Sequence, residues 1–143
     1  MGQSTDGIVA YGYNLGGDED EWKGLVGGRP AWLGEGRKDF AEVVAQRLLR
    51  AVDAPVPKYS WHAEGEVKKI LQVEFARHCS CDYPEWILAV AGTVTTAYRG
   101  YPKLFDPGTR PVGADAILAK ALATLELEVT GAPGWIVASY WDW

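Results

Sequence analysis

Two runs, ILQVEFARH (Ile70–His78) and WILAVAGTVTTAY (Trp86–Tyr98), flank a short polar break, Cys79-Ser80-Cys81-Asp82-Tyr83-Pro84. In the first run Leu71, Val73 and Phe75 alternate with Gln72, Glu74 and Ala76, the period-two pattern of a strand with one buried face. The second is rich in β-branched residues, with Leu88, Val90 and Val94 on one side and Ala89, Ala91, Thr93 and Thr95 on the other. The break between them carries turn-forming residues. The stretch therefore predicts a β-hairpin, with Gly92 marking a bulge or a close backbone approach.

Upstream, Ile8–Leu15 reads as a strand with Val9, Tyr11, Tyr13 and Leu15 on one face. Gly16-Gly17 ends it, and residues 16–37 read as a long irregular loop in which Trp22 and Trp32 serve as pins. Lys38–Val52 has the three-and-four spacing of an amphipathic helix, stopped by Ala54-Pro55-Val56-Pro57. Lys58–His62 is short enough for a bridging or edge strand. Downstream, a proline-rich loop spans Gly100–Gly113, a second amphipathic helix Ala114–Glu128, and a last strand Trp135–Trp141. The order β-α-β-β-α-β predicts a single α+β domain over residues 1–143. The matching plan is a ferredoxin-like sandwich, a four-stranded antiparallel sheet with two helices on one face.

The chain has 143 residues, 48% of them hydrophobic, enough for one real core. Its formal net charge is −5, and its only basic pairs are Arg37-Lys38 and Lys68-Lys69, so a nucleic-acid partner is not expected. No apolar run reaches membrane-spanning length, and no basic segment leads into an apolar one at the N-terminus. A cytoplasmic location with reduced cysteines is the expectation. Seven Trp and seven Tyr build the core first, and any surplus suits an interface.

The densest reactive cluster is His78-Cys79-Ser80-Cys81-Asp82. A metal set of His62, His78, Cys79 and Cys81 can be drawn, but Cys-x-Cys is tighter than the spacing of established zinc motifs. Adjacent strand residues point to opposite faces, which also argues against a Cys79–His78 catalytic pair. The simpler reading is a turn with Cys79 as a small buried hydrophobe. The chain has no G-x-S-x-G elbow, H-E-x-x-H helix or phosphate loop. No catalytic residue is assigned and no cofactor is expected. A ligand pocket, if one exists, is placed near His62, His78, Tyr98 and Arg99 at one end of the sheet. An interaction surface is placed at Asp18, Glu19, Asp20, Glu21, Trp22 and Trp32, with the acidic run as a lure for a basic partner. The sheet face away from the helices (Ala10, Gly12, Gln72, Glu74, Ala76, Ala89, Ala91, Thr93 and Thr95) is small and mildly polar. It suits a homodimer, a partner sheet, or a cover from the Trp22–Gly36 loop.

The opening Met1–Gly17, the stretch His78–Pro84, the run Thr95–Gly100 and the closing Ser139-Tyr140-Trp141 together resemble a family of small proteins of actinobacterial phages with no assigned activity. The resemblance implies a phage accessory protein working in a bacterial cytoplasm. The leading expectation is a non-enzymatic interaction module that binds a host or phage protein. The alternatives are a small-ligand or nucleotide-binding domain, or a metal-binding protein with its site near residues 78–82.

Overall fold

The longest strand, β1 (Ser4–Gly17), organises the sheet in a computed structural model that describes residues 4–34, 39–79, 83–108 and 111–142. It is followed by α1 (Phe40–Ala51), α2 (Ser60–Leu71), β2 (Val73–Cys79), β3 (Pro84–Val90), β4 (Thr95–Ala97), α3 (Ala114–Leu125) and β5 (Gly134–Asp142). All strand pairs are antiparallel. β3 pairs the C-terminal half of β1, from Gly12↔Ala89 to Gly17↔Glu85, and β5 pairs its opposite edge from Ser4↔Asp142 to Gly12↔Gly134. The order is β2-β3-β1-β5, with the short β4 also on β1. The α+β class holds, but the four-stranded, two-helix ferredoxin-like plan does not. The sheet has five strands, and three helices pack on one of its faces.

Two local events account for the difference. The first is α2, which replaces the short strand expected at Lys58–His62 and the expected strand start at Ile70. Ala63, Val67 and Leu71 are buried at four-residue spacing, a narrow apolar stripe along one helix face. Ile70 points to solvent instead. Lys68 and Lys69 in the last turn suit the negative end of the helix dipole, and Gln72 leaves the helix in a left-handed conformation (φ 60°).

The second is the break of Trp86–Tyr98 into β3 and β4. The chain turns at Ala91-Gly92, where Gly92 has φ +87°, a conformation glycine adopts without steric cost. Thr93 then stands in for ladder groups: its Oγ1 accepts from the Tyr11 amide (3.1 Å) and donates to the Val90 carbonyl (2.7 Å). Three steps along β1, Gly12 to Val9, correspond to six along its partner, Ala89 to Thr95. Val94 therefore leaves the Leu88–Val90 face and packs with Ile8 and Ala10.

The helical side holds the larger core, centred on Phe40. Its ring lies 4.9 Å from Trp22, 5.4 Å from Trp86 and 5.6 Å from Phe75 between centroids, with Trp32 stacked at 6.3 Å. Asp39 caps α1 just before this hub, its carboxylate accepting from the Ala41 amide at 3.1 Å. Asp39→Ala is expected to cost about 1 kcal/mol of stability, read as a lower denaturant midpoint. Asp39→Asn keeps the acceptor oxygen and should retain most of it. Equal losses in the two variants would contradict the capping role.

The opposite face carries a second core of Ile8, Ala10, Ala76, Ile87 and Ala89, packed against Val94, Ile136 and Ala138. β2 and β5 end the strand order, yet approach within 8 Å between Cα atoms. The sheet thus curls until β5 covers its own concave side, and alanines at Ala10, Ala76 and Ala89 leave room for that closure. This corrects the expectation of an open face at those positions. β5 supplies the cover, while Trp22 of the loop lies in the helical-side core. No helix among the described residues is long and apolar enough to cross a membrane.

Candidate functional site

Two regions hold the residues singled out above. The first is the end of the β2–β3 hairpin, where His78 and Glu85 are cross-strand partners. His78 is only 8% exposed, and its Nδ1 lies 3.8 Å from Glu85 Oε2. Cys79 follows with φ +72°, a left-handed backbone that side chains other than glycine rarely adopt. In a regular strand its side chain would point away from that of His78. Instead, Cys79 Sγ lies 3.7 Å from His78 Nδ1 and donates to Glu85 Oε2 at 3.3 Å. The geometric objection raised from the sequence is thereby removed by one backbone torsion.

Burial pushes the His78 imidazole below its ordinary pKa, against the opposing pull of the Glu85 and Asp20 carboxylates. At neutral pH the ring is uncharged, so one nitrogen carries a lone pair. Its Nε2 is buried without a hydrogen-bond partner among the described residues. His78, Cys79 and Glu85 thus place one ligand atom each within 4.8 Å of the others. His62 is elsewhere, exposed on α2 with its ring 3.7 Å from that of Trp61. Cys81 lies outside the described residues. Glu85 is the residue that sequence reasoning missed. The signal was present, because a break over residues 79–84 sets His78 opposite Glu85 in an antiparallel hairpin.

The acidic run serves the fold. Asp20 accepts from the amides of Gly17 (2.9 Å) and Trp22 (3.0 Å), and Asp18 accepts from Trp22 Nε1 (2.7 Å) and pairs with Arg29. Partial burial opposes ionisation of Asp18, but the hydrogen bonds from Trp22 and Arg29 and the Arg29 charge outweigh it and lower its pKa. Trp22 is held at 3% exposure by these contacts. Trp32 is half-buried, donating from Nε1 to the Leu125 carbonyl (2.9 Å) beneath the Arg47 guanidinium. Glu21 is exposed, and the Glu19 side chain lies outside the description. Of the six residues expected on an interaction surface, Trp22 is core and Asp18 and Asp20 hold it there.

The second region is the segment Tyr98–Gly108, in which every residue is exposed. Tyr101 is 74% exposed and Leu104 fully so, with Tyr98 and Phe105 also open to solvent. The segment is nonetheless anchored. Its start is tied down where the Arg99 amide donates to Asp6 Oδ1 (3.2 Å). Further along, Phe105 meets Trp135 edge-on at 5.3 Å, and Trp135 meets Tyr11 in the same way at 5.4 Å. A turn from Tyr98 to Tyr101 and a side-chain turn at Asp106 shape the path between. Arg99 and Lys103 outnumber the single Asp106, so this segment is locally positive on an acidic chain.

The four residues expected to share a pocket are not brought together. His78 lies across from Glu85, which pairs Gly17 at one end of β1, while Ala97, just before Tyr98 and Arg99, pairs Gly7 at the other. His62 sits on α2. No protein-family model, no curated protein and no solved structure matches this chain.

Proposed function

We propose that the chain is a non-enzymatic interaction protein that presents Tyr98–Gly108 to a protein partner. The observation that carries this reading is the run of solvent-exposed apolar side chains, Tyr98, Tyr101 and Leu104, on an anchored segment. Burying a large apolar side chain stabilises by roughly 1.5–3 kcal/mol, so three such groups left in water are a reserve of binding energy. The partner implied is a protein with an apolar groove and an acidic rim, which Arg99 and Lys103 would meet. With the resemblance to small actinobacteriophage proteins, that partner is a host or phage protein.

The test is the double variant Tyr101→Ser/Leu104→Ser. Both side chains are exposed, so the unfolding midpoint should not move. Affinity purification of the parent chain from the expressing bacterium should recover a stoichiometric protein that binds again when both are purified. The variant should lose that protein. A partner bound equally by parent and variant, or nucleic acid in place of protein, would contradict the reading.

A further inference from the structure

The end of the β2–β3 hairpin gathers potential metal ligands from both strands. Three chemically different donors, His78 Nδ1, Cys79 Sγ and Glu85 Oε2, face one another at 3.7, 3.3 and 3.8 Å. Around a tetrahedral zinc ion, ordinary bond lengths put sulfur about 3.6 Å from a nitrogen or oxygen ligand, and nitrogen about 3.4 Å from oxygen. The sulfur–nitrogen separation agrees with that to about 0.1 Å, and the other two lie within about 0.4 Å of it, so small side-chain rotations would close the three donors on one triangular face of that tetrahedron. From this we infer that His78, Cys79 and Glu85 form a binding site for a thiophilic divalent cation, with zinc the best fit.

Three further features favour this assignment. The donor set, an imidazole, a thiolate and a carboxylate, is the mixture a borderline-soft cation takes, whereas calcium and magnesium ask for oxygen alone. Charges balance, since a thiolate and a carboxylate with a neutral imidazole carry −2 against the ion's +2. Binding displaces the Cys79 proton to solvent and leaves His78 uncharged, as a nitrogen ligand must be. Lastly, the left-handed backbone of Cys79 costs free energy on its own and persists only where something requires it. Its effect here is to turn Sγ toward the other two donors. A thiol nucleophile is a poorer account of the same cluster. The thiol faces the Glu85 carboxylate, whose negative charge opposes the free thiolate that a nucleophile needs. The described residues supply three ligands, and a tetrahedral ion takes a fourth donor besides them.

Metal titration of the purified chain decides the matter. Cobalt(II), a spectroscopic stand-in for zinc, is expected to bind one ion per chain. It should give the intense visible bands of tetrahedral cobalt and a near-ultraviolet sulfur-to-cobalt charge-transfer band, and zinc should displace it. Cys79→Ser should abolish the charge-transfer band, and Glu85→Gln, nearly equal in volume, should weaken zinc binding at least about ten-fold. Circular dichroism of each variant separates lost ligation from lost folding, and the cobalt spectrum of the unaltered chain stands independently of either variant. Octahedral-type cobalt spectra without the charge-transfer band, or folded variants that bind zinc as tightly as the parent, would overturn the assignment.

Discussion

Gly12→Ala should lower stability by about 3 kcal/mol or more, a large share of the roughly 5–15 kcal/mol that holds a domain of this kind folded. A Cβ at position 12 would lie 1.8 Å from the Leu88 carbonyl oxygen, 2.8 Å from its carbon and 2.9 Å from Ala89 Cα. All three obstacles are backbone of β3, so no flexible side chain can yield. Gly12 also pairs Ala89 on one edge of β1 and Gly134 on the other. It marks the point where β1 serves both halves of the curled sheet. Moving β3 away would open the seam behind which Ile87 and Ala89 are buried. Urea unfolding followed by circular dichroism measures the effect. A change within about 0.5 kcal/mol, the range of an ordinary surface substitution, would contradict this description of the curl.

Phe40→Ala should cost about 3–5 kcal/mol. The ring is 3% exposed and touches Trp22, Trp32, Phe75 and Trp86, so its removal leaves a cavity bounded by other rings. Each aromatic pair adds about 0.5–1.5 kcal/mol beyond buried area. Three of the four neighbours are tryptophans, which gives a second readout. Their emission should move to longer wavelength as water reaches the hub. Phe40→Leu should cost less than half as much, since it fills most of the space. A loss below about 1 kcal/mol for Phe40→Ala, with unchanged emission, would mean that Phe40 is not the centre of this core.

Much of this arrangement is legible in the letters. The hairpin pairing, the helix after Asp39 and the helix from Ala114 follow from hydrophobic period and, for the first helix, a proline stop. The helix Ser60–Leu71 was concealed by Gly65 in its middle and by Ile70-Leu71, an apolar pair that begins a strand pattern as readily as it ends a helix. The division of Trp86–Tyr98 was hinted at by Gly92. Period-two alternation continues unbroken through that residue, and only the turn angle sends Val94 to the other face. The curl of the sheet depends on tertiary closure between β2 and β5, far apart in sequence, and no local pattern encodes it.

The sites divide in the same way. His78 opposite Glu85 is a register statement, available once the hairpin is drawn. The rotation of Cys79 toward them is a single torsion at a non-glycine residue, which composition does not announce. The acidic run looked like surface because four carboxylates in a row are usually solvated. In the structure two of them hold the Trp22 amide and indole, and the tryptophan goes inward. Conversely, Gly100–Gly113 was legible as a loop, but its exposed Tyr101 and Leu104 could be recognised only once the core had been filled without them.

The central claim is that Tyr98–Gly108 touches a protein partner, and photo-crosslinking in the expressing bacterium tests it most directly. A photoreactive phenylalanine analogue in place of Leu104 is compared with the same analogue at Lys120, which is exposed on α3. The expected result is a discrete, higher-mass protein adduct from position 104 that is absent from position 120. Adducts of equal yield and identity from both positions, or none from position 104, would contradict it.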